Sequence, residues 1–279
     1  MYTFKQSIQN CYLNQMSFLH LLTSYIKTRN GETNMKTLDI VVSGICGALY
    51  AVVGYLIYLF LPITAPGIGI VRFWPSVVIP AAFAVLFGPL VGGIGAAIGI
   101  FISDTLIHQD PLLSLTVGVT SNFIGFYLIG SISRKNIEWT KTLAILSAIV
   151  GLSSIGLGYA LYIYVSLNAT ILFIGLVIAT YLVTIAAGFK WPEWRSYGIA
   201  SLVGLGVGST IIGIGVWAYS QLFVLPEAVG GGSGLPLWTI FVWLIWTFAT
   251  EIPFLITLGP PILKACYKAF PSLAPQHEK

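Results

Sequence analysis

The stretch FGPLVGGIGAAIGIFISD, Phe87 to Asp104, decides the fold of this chain. Five of its 18 residues are glycine, the rest are almost wholly apolar, and it ends on an aspartate. Glycine costs about 1 kcal/mol relative to alanine inside a helix, so this many glycines need a reason. Small residues four apart let membrane helices approach closely, and that spacing recurs here on more than one face. The repeats are Gly88, Gly92 and Ala96, then Gly95, Gly99 and Ser103. We interpret the stretch as a central packing helix of a membrane bundle.

Composition agrees with a membrane protein. The 279 residues are 57% hydrophobic and only 8% charged, with a mean hydropathy of +0.90. Because soluble domains average about 25% charged residues, most of this surface must face lipid. Apolar runs near 20 residues favour helices over the strands of a barrel. We predict an all-α, polytopic membrane helical bundle of about eight spans, at 38–61, 70–88, 89–107, 112–131, 141–166, 169–189, 198–224 and 237–263.

The basic residues orient these spans. If eight spans alternate, 12 of the 13 Lys and Arg residues fall on one side. Basic loops stay on the cytoplasmic side, so we predict that both termini are cytoplasmic in a multi-pass protein of the plasma (cytoplasmic) membrane. Arg72 is the exception, alone at the outer end of the second span.

Three segments follow from this layout. Residues 1–34 form an N-terminal extension, either an amphipathic helix on the inner leaflet or a segment upstream of a native start at Met35. Residues 35–266 form the transmembrane bundle. Residues 267–279 form a cytoplasmic tail.

The buried charges are candidates for a site. Counting from the turn at Gly88-Pro89 brings Arg72 level with Asp104 across a helical hairpin. An unpaired charge in mid-bilayer costs roughly 2.5–3.5 kcal/mol, which a pair reduces. One interpretation is a structural ion pair. The other is an outward-facing pocket that the pair shares with Trp74 and His108.

Two further polar residues lie inside apolar spans. Asn122 is near mid-depth of the fourth span, where it can join helices or bind a ligand. Glu251 lies near or below the midplane of the last span, and Pro253 just after it frees the Ala249 carbonyl. An acid inside a membrane is a functional candidate by default. The glycine-rich loop 226–236 either caps a site or merely connects two spans.

Several functions are disfavoured by the motifs. GGIGAAIG lacks the preceding strand and the water-facing helix start of a dinucleotide loop. We find no zinc-protease, serine-elbow or Walker motif, and three histidines cannot build a metal cluster. We therefore predict no enzyme, no metal, no cofactor on this chain and no nucleic-acid partner.

The run RFWPSVVIPAAFAVLFGPLVGGIGAAIGIFISD, Arg72 to Asp104, resembles the substrate-binding S components of energy-coupling factor (ECF) transporters. The resemblance covers about 40–130 and returns around ATEIPFLITLGPPI. It implies a vitamin or similar micronutrient bound in a pocket near the outer face. The candidate substrate-binding residues are then Arg72, Trp74, Asp104, His108, Asn122 and Glu251. A membrane coupling subunit and two cytoplasmic ATPases, which use ATP, would then drive uptake. The family core has six spans, so about two here are extra.

Ser43, Gly47 and Ala51 form a small-residue lane on the first span. The lane either packs inside the bundle or docks another membrane subunit, and the resemblance implies docking to the coupling subunit. The alternative function is a secondary transporter that uses Asp104 or Glu251 for proton or cation coupling. Against it, no matching pair of broken helices marks an inverted repeat.

Overall fold

The chain is all-helical in the part described. The computed structural model describes residues 37–61 and 74–273, which contain no β-strand. Seven of the helices in these ranges are long and apolar enough to cross a membrane, so the predicted helical membrane fold is confirmed. The helices are α1 (Thr37–Phe60), α2 (Val78–Phe87), α3 (Pro89–His108), α4 (Pro111–Ile132), α5 (Trp139–Tyr164), α6 (Leu167–Lys190), α7 (Arg195–Leu222) and α8 (Thr239–Ala269).

The second predicted span, 70–88, differs from the structure. A 3-10 turn over Pro75–Val77 leads into α2, and together they form an apolar helix over Pro75–Phe87. At 1.5 Å per residue this helix is roughly 20 Å long, short of a hydrocarbon core of about 30 Å. Eight full spans are therefore not confirmed. Residues 70–73 lie outside the described ranges.

The predicted turn at Gly88-Pro89 is confirmed. Gly88 has φ 116°, a conformation that favours glycine, and Pro89 starts α3 where no backbone donor is needed. The two helices then run back in close contact, because a Cβ added at Gly92 would overlap Ala84. The glycines here allow α2 and α3 to pack at backbone distance.

The small-residue lane on α1 packs against α3. Ser43, Gly47 and Ala51 are all buried. A Cβ added at Gly47 would lie 2.8 Å from Ile98 Cγ2, and one added at Gly99 would lie 2.8 Å from the Gly47 carbonyl oxygen. In this structure the lane therefore packs inside the bundle, and its docking to another subunit stays a prediction.

Six helices form the core, and two lie outside it. Helices α1, α2, α3, α4, α7 and α8 pack around one another, with α4 directly against α7 and α7 against α8. Helices α5 and α6 form a hairpin whose α6 also contacts α8, whereas α5 has no buried residue in its most apolar window. The Ser196 hydroxyl donates to the Lys135 carbonyl oxygen at 2.9 Å, so the end of α4 meets the start of α7. The extra helices are therefore a peripheral insertion between α4 and α7.

Two boundaries differ from the prediction. The turn expected at Leu167-Asn168 comes earlier, because α5 ends at Tyr164 and the Ser166 hydroxyl caps α6 by accepting from the Ala169 N–H at 3.2 Å. Helix α8 continues to Ala269, beyond the predicted start of the tail at 267. The predicted extension 1–34 and residues 274–279 lie outside the described ranges.

Candidate functional site

A cavity of about 110 Å³ lies inside the six-helix core. Its walls come from α1, α3, α4, α7, α8, Trp74 and the loop after α7. It lies in the half of the bundle where α1, α3 and α7 end and where α4 and α8 begin. The basic residues of the described ranges, such as Arg134 and Lys264, lie at the opposite ends of these helices. The positive-inside rule predicts that this half of the bundle faces outward.

Five of the six predicted substrate-binding residues line this one cavity. They are Trp74, Asp104, His108, Asn122 and Glu251. The sixth, Arg72, lies outside the described residues, and its pairing with Asp104 stays a prediction. The fold thus brings together residues that are far apart in the chain. Trp74, just before α2, and Glu251, in α8, are 177 positions apart.

Asp104 is the most deeply buried acid of the site, with 2% of its surface exposed. The Ser114 hydroxyl donates to its Oδ2 at 2.8 Å, and His108 Nε2 lies 3.5 Å from its Oδ1. Gly118 leaves room for this carboxylate, because a Cβ added there would overlap Oδ2. Burying a charge is costly unless polar neighbours stabilise it, and these three residues hold the carboxylate at the cavity wall.

An irregular turn of α4 forms the neighbouring wall. Residues Ser114–Gly118 are π-helical, and the Val119 N–H donates to the Ser114 carbonyl five residues back. Such π segments often occur at functional sites. The Gly118 carbonyl accepts from Asn122 Nδ2 at 3.0 Å, and the Tyr50 hydroxyl donates to Asn122 Oδ1 at 2.9 Å. Both ends of the Asn122 amide are therefore held in place.

Aromatic rings form a corner of the cavity. The Tyr50 ring meets Trp74 edge-on at a centroid distance of 6.1 Å and an angle of 77°. It meets Phe126 in the same way, at 6.1 Å and 72°. Gly54 of α1 makes room for Trp74, since a Cβ at this glycine would overlap the indole ring. The three rings give this side of the cavity a packed aromatic wall.

Helix α8 contributes one polar stripe. Trp243, Thr247 and Glu251 follow at intervals of four, on one face of the helix, and all three line the cavity. The helix continues through Pro253, which has no N–H to donate to the Ala249 carbonyl. The carboxylate is therefore placed beside a locally weakened helix, as predicted from the proline.

The loop after α7 closes the outer end of the cavity. Ala228 and Val229, in the 3-10 turn Glu227–Val229, belong to the lining. The loop is tied down by backbone bonds, in which the Leu225 N–H donates to the Gly232 carbonyl at 2.8 Å and the Gly234 N–H donates to the Ser220 carbonyl at 2.6 Å. Of the two alternatives for residues 226–236, the geometry favours the cap.

Other parts of the lining were not predicted from the sequence, among them Tyr50, Phe126, Ser209 and Trp243. These residue types are common in membrane helices, so none stands out alone. Only the spacing of Trp243 could have identified it, because Trp243 lies on the same helical face as Glu251. Ser209 carried no comparable signal among the many serines of the chain.

The lining has both polar and apolar groups. It combines two carboxylates, an amide, four hydroxyl groups and a histidine with large apolar rings. Within 37–61 and 74–273, no group of three His, Cys, Asp or Glu side chains could hold a metal ion. Small-molecule sites commonly pair apolar walls with a few placed polar groups, which describes this cavity.

Comparison of the chain with models of known protein families, with curated proteins and with solved structures finds no match. The site must therefore be interpreted from its own residues.

Proposed function

We propose that this chain is the membrane-embedded substrate-binding subunit of an ECF-type importer. It captures a vitamin or similar micronutrient in the outer-half cavity. A membrane coupling subunit and two cytoplasmic ATPases then drive uptake with ATP. The chain itself carries out no reaction.

The observation that carries the proposal is the convergence of candidate residues on one cavity. The sequence predicts Trp74, Asp104 and His108 as parts of one pocket, and it predicts Asn122 and Glu251 separately, as polar residues inside apolar spans. Scattered structural polar residues would have faced separate helix contacts. Their common position around about 110 Å³ instead supports a ligand site.

The arrangement of the helices adds support. S components have six spans, and the core of this chain has six helices, one of them the short α2, with α5 and α6 set outside. The segment that carries the resemblance, 72–104, forms the α2–α3 hairpin on the cavity wall as far as it is described. The hairpin of α5 and α6 thus follows the segment that carries the resemblance and does not interrupt it.

The test begins with mass spectrometry of the small molecules that co-purify with the chain. Uptake of the compound found is then measured in cells that express the chain with or without the coupling subunit and ATPases. We expect uptake only with all partners present. Asn122→Ala should weaken binding about tenfold, because the Tyr50 hydroxyl in the cavity wall loses its acceptor and an unsatisfied buried partner costs about 1–3 kcal/mol.

Tyr159→Phe is the matched control, since Tyr159 is 70% exposed on the peripheral hairpin and far from the cavity. It should leave binding and uptake unchanged. Uptake that needs no ATPase and stops when the proton gradient is dissipated would contradict the proposal and favour the secondary transporter.

A further inference from the structure

A second, smaller cavity lies at the basic end of the bundle, where the peripheral hairpin meets the core. Its volume is about 20 Å³, and its lining comes from the start of α5, the end of α6, the start of α7 and the later half of α8. Three of the lining residues are tryptophans, Trp139, Trp191 and Trp194, and one is a cation, Arg195. We call this group the junction cleft. The proposed substrate site does not use it.

Arg195 joins the core helix α7 to both helices of the hairpin. Its Nε donates to the Gly188 carbonyl oxygen at 2.8 Å, and its guanidinium carbon lies 4.9 Å from the centre of the Trp139 ring. Trp139 packs closely against Gly188, because a Cβ added at this glycine would overlap the indole. A guanidinium has five N–H donors, and within the described residues only the Nε donor is used. The terminal nitrogens are not fully buried, so they can bind an anion.

Lys190 places a second cation beside the cleft. Its Nζ lies 4.7 Å from the centre of the Trp191 ring, which lines the cleft. The 3-10 turn Pro192–Trp194 is all that separates Lys190 and Trp191 from Arg195 in the chain. Neither cation forms an ion pair in the part of the chain that the structure describes, although Glu193 lies between them in sequence. Two cations in one turn, neither paired there with an acid, favour an anionic ligand.

The size of the cleft decides what kind of anion it suits. About 20 Å³ holds roughly one water molecule, whereas small-molecule sites bury most of their ligand. A soluble anion would therefore be held poorly. A phospholipid needs only its headgroup at the mouth, because the bilayer holds its tails. The neighbouring surface is apolar, with Phe189 61% and Trp191 41% exposed. Tryptophans at the ends of spans are typical of the level of lipid headgroups.

From these observations we propose that the junction cleft binds the phosphate of an anionic phospholipid, with Arg195 and Lys190 as its ligands. The positive-inside rule predicts that this end faces the cytoplasm, whose leaflet carries the acidic lipids. Basic pockets between membrane helices on that side bind such headgroups. The bound lipid stabilises the contact of the hairpin with the core. This inference goes beyond the proposed function and does not depend on it, because no imported compound or partner subunit takes part.

Native mass spectrometry of the full chain in detergent tests the proposal, because it resolves each bound lipid. The probes are dioleoylphosphatidylglycerol, which is anionic, and dioleoylphosphatidylcholine, which has the same tails and a phosphate but no net charge. We expect phosphatidylglycerol to bind at least about fivefold more tightly, the factor expected for one basic residue near an acidic lipid. Excess inorganic phosphate, which has no tails, should not displace it.

Two variants then test the cations. Lys190→Gln and Arg195→Gln each remove one positive charge, and each should weaken phosphatidylglycerol binding about fivefold. Lys268→Gln is the matched control, because Lys268 is also exposed at the basic end but lies about 12 Å along α8 from Pro260 of the lining. It should leave the affinity unchanged. Arg195→Gln also loses the bond to Gly188, so thermal unfolding checks its fold, and Lys190→Gln decides if it is unfolded.

Three results would overturn the proposal. Equal affinities for the two lipids would remove the preference for an acidic headgroup. A loss in Lys268→Gln as large as that in Lys190→Gln would mean that only the net charge of this end attracts lipid. Displacement by inorganic phosphate would assign the two cations to a soluble anion. Preference for phosphatidylglycerol that is lost in the cleft variants and kept in Lys268→Gln would support it.

Discussion

At the scale of single residues, the site depends on one glycine opposite one acid. Asp104 accepts from Ser114 across the start of α4, and Gly118 lies against the same oxygen. The π segment Ser114–Gly118 places the hydroxyl and the glycine on the same side of the carboxylate. A side chain at 118 would have to displace either the acid or the helix.

Gly118→Ala should therefore destabilise the protein. The added methyl group overlaps Asp104 Oδ2 and breaks its bond with Ser114, at a cost of about 1–3 kcal/mol. Thermal unfolding of the purified protein should show a lower midpoint. Gly175→Ala is the control, because a Cβ there meets nothing within 4 Å. Equal midpoints for the two variants would contradict this account of Gly118.

The sequence revealed part of this site for a physical reason. Asp104 and Glu251 could be predicted because charges in apolar spans are expensive and so need a purpose. Tyr50, Ser209 and Trp243 could not, since their side chains cost little in a membrane helix. Their role depends on how six helices are rotated about their axes. Tertiary packing sets the rotation of each helix, and this rotation could not be predicted from a single sequence.

At the scale of elements, the contact between α1 and α3 joins the first helix to the glycine-rich one. Gly47 and Gly95 bring the backbones together, and the Cβ of a residue at 95 would reach the Cys46 side chain. Without a hydrophobic driving force between helices in lipid, such close packing carries much of their association. Gly44, on the other side of α1, meets nothing within 4 Å.

Gly47 and Gly44 give a paired prediction. Gly47→Leu should disrupt the bundle, because its side chain overlaps Ile98 and the Gly95 carbonyl. We expect a broadened or aggregated peak in size-exclusion chromatography. We also expect the free energy of unfolding to fall by several kcal/mol, at or above the 1–3 kcal/mol typical of overpacking. Gly44→Leu should elute and unfold like the unmodified protein. If both variants behave alike, the lane does not pack α1 against α3.

Helix positions were easier to predict than helix lengths. The turn at Gly88-Pro89 has a local cause, the positive φ that glycine tolerates, and was predicted correctly. The start of α2 was not, because five of the eight residues 70–77 are large apolar residues and extend the hydrophobic run of the helix that follows. Hydropathy measures which residues can lie in lipid. It does not show where a 3-10 turn such as Pro75–Val77 interrupts an apolar run.

At the scale of the whole molecule, the two ends of the bundle differ. Basic residues such as Lys135 and Lys268 are at one end, and the cavity with its capping loop is at the other. The hairpin of α5 and α6 is consistent with this polarity, since its two antiparallel helices return the chain to the basic end. A ligand and a cytoplasmic partner would thus approach from opposite sides.

Cysteine labelling tests this polarity. In a background without Cys11, Cys46 and Cys266, we expect Ser233→Cys and Val165→Cys to react with a membrane-impermeant maleimide in intact cells. Asn136→Cys should react only after permeabilisation, because one or three crossings separate it from the other two positions. Labelling of 136 and 165 from the same side would mean that α5 does not cross the membrane.

The contact between Ser196 and Lys135 has a consequence for biosynthesis. The 60 residues 136–195 separate two segments that touch in the finished protein. At about 5 to 20 residues per second, α4 leaves the ribosome roughly 3 to 12 seconds before the start of α7. During that interval α1 to α4 have no α7 or α8 beside them, so the cavity lacks the walls to which Ser209 and Glu251 belong. Asp104 already has Ser114 and His108 beside it, but a complete cavity forms only after the last two core helices have been synthesised.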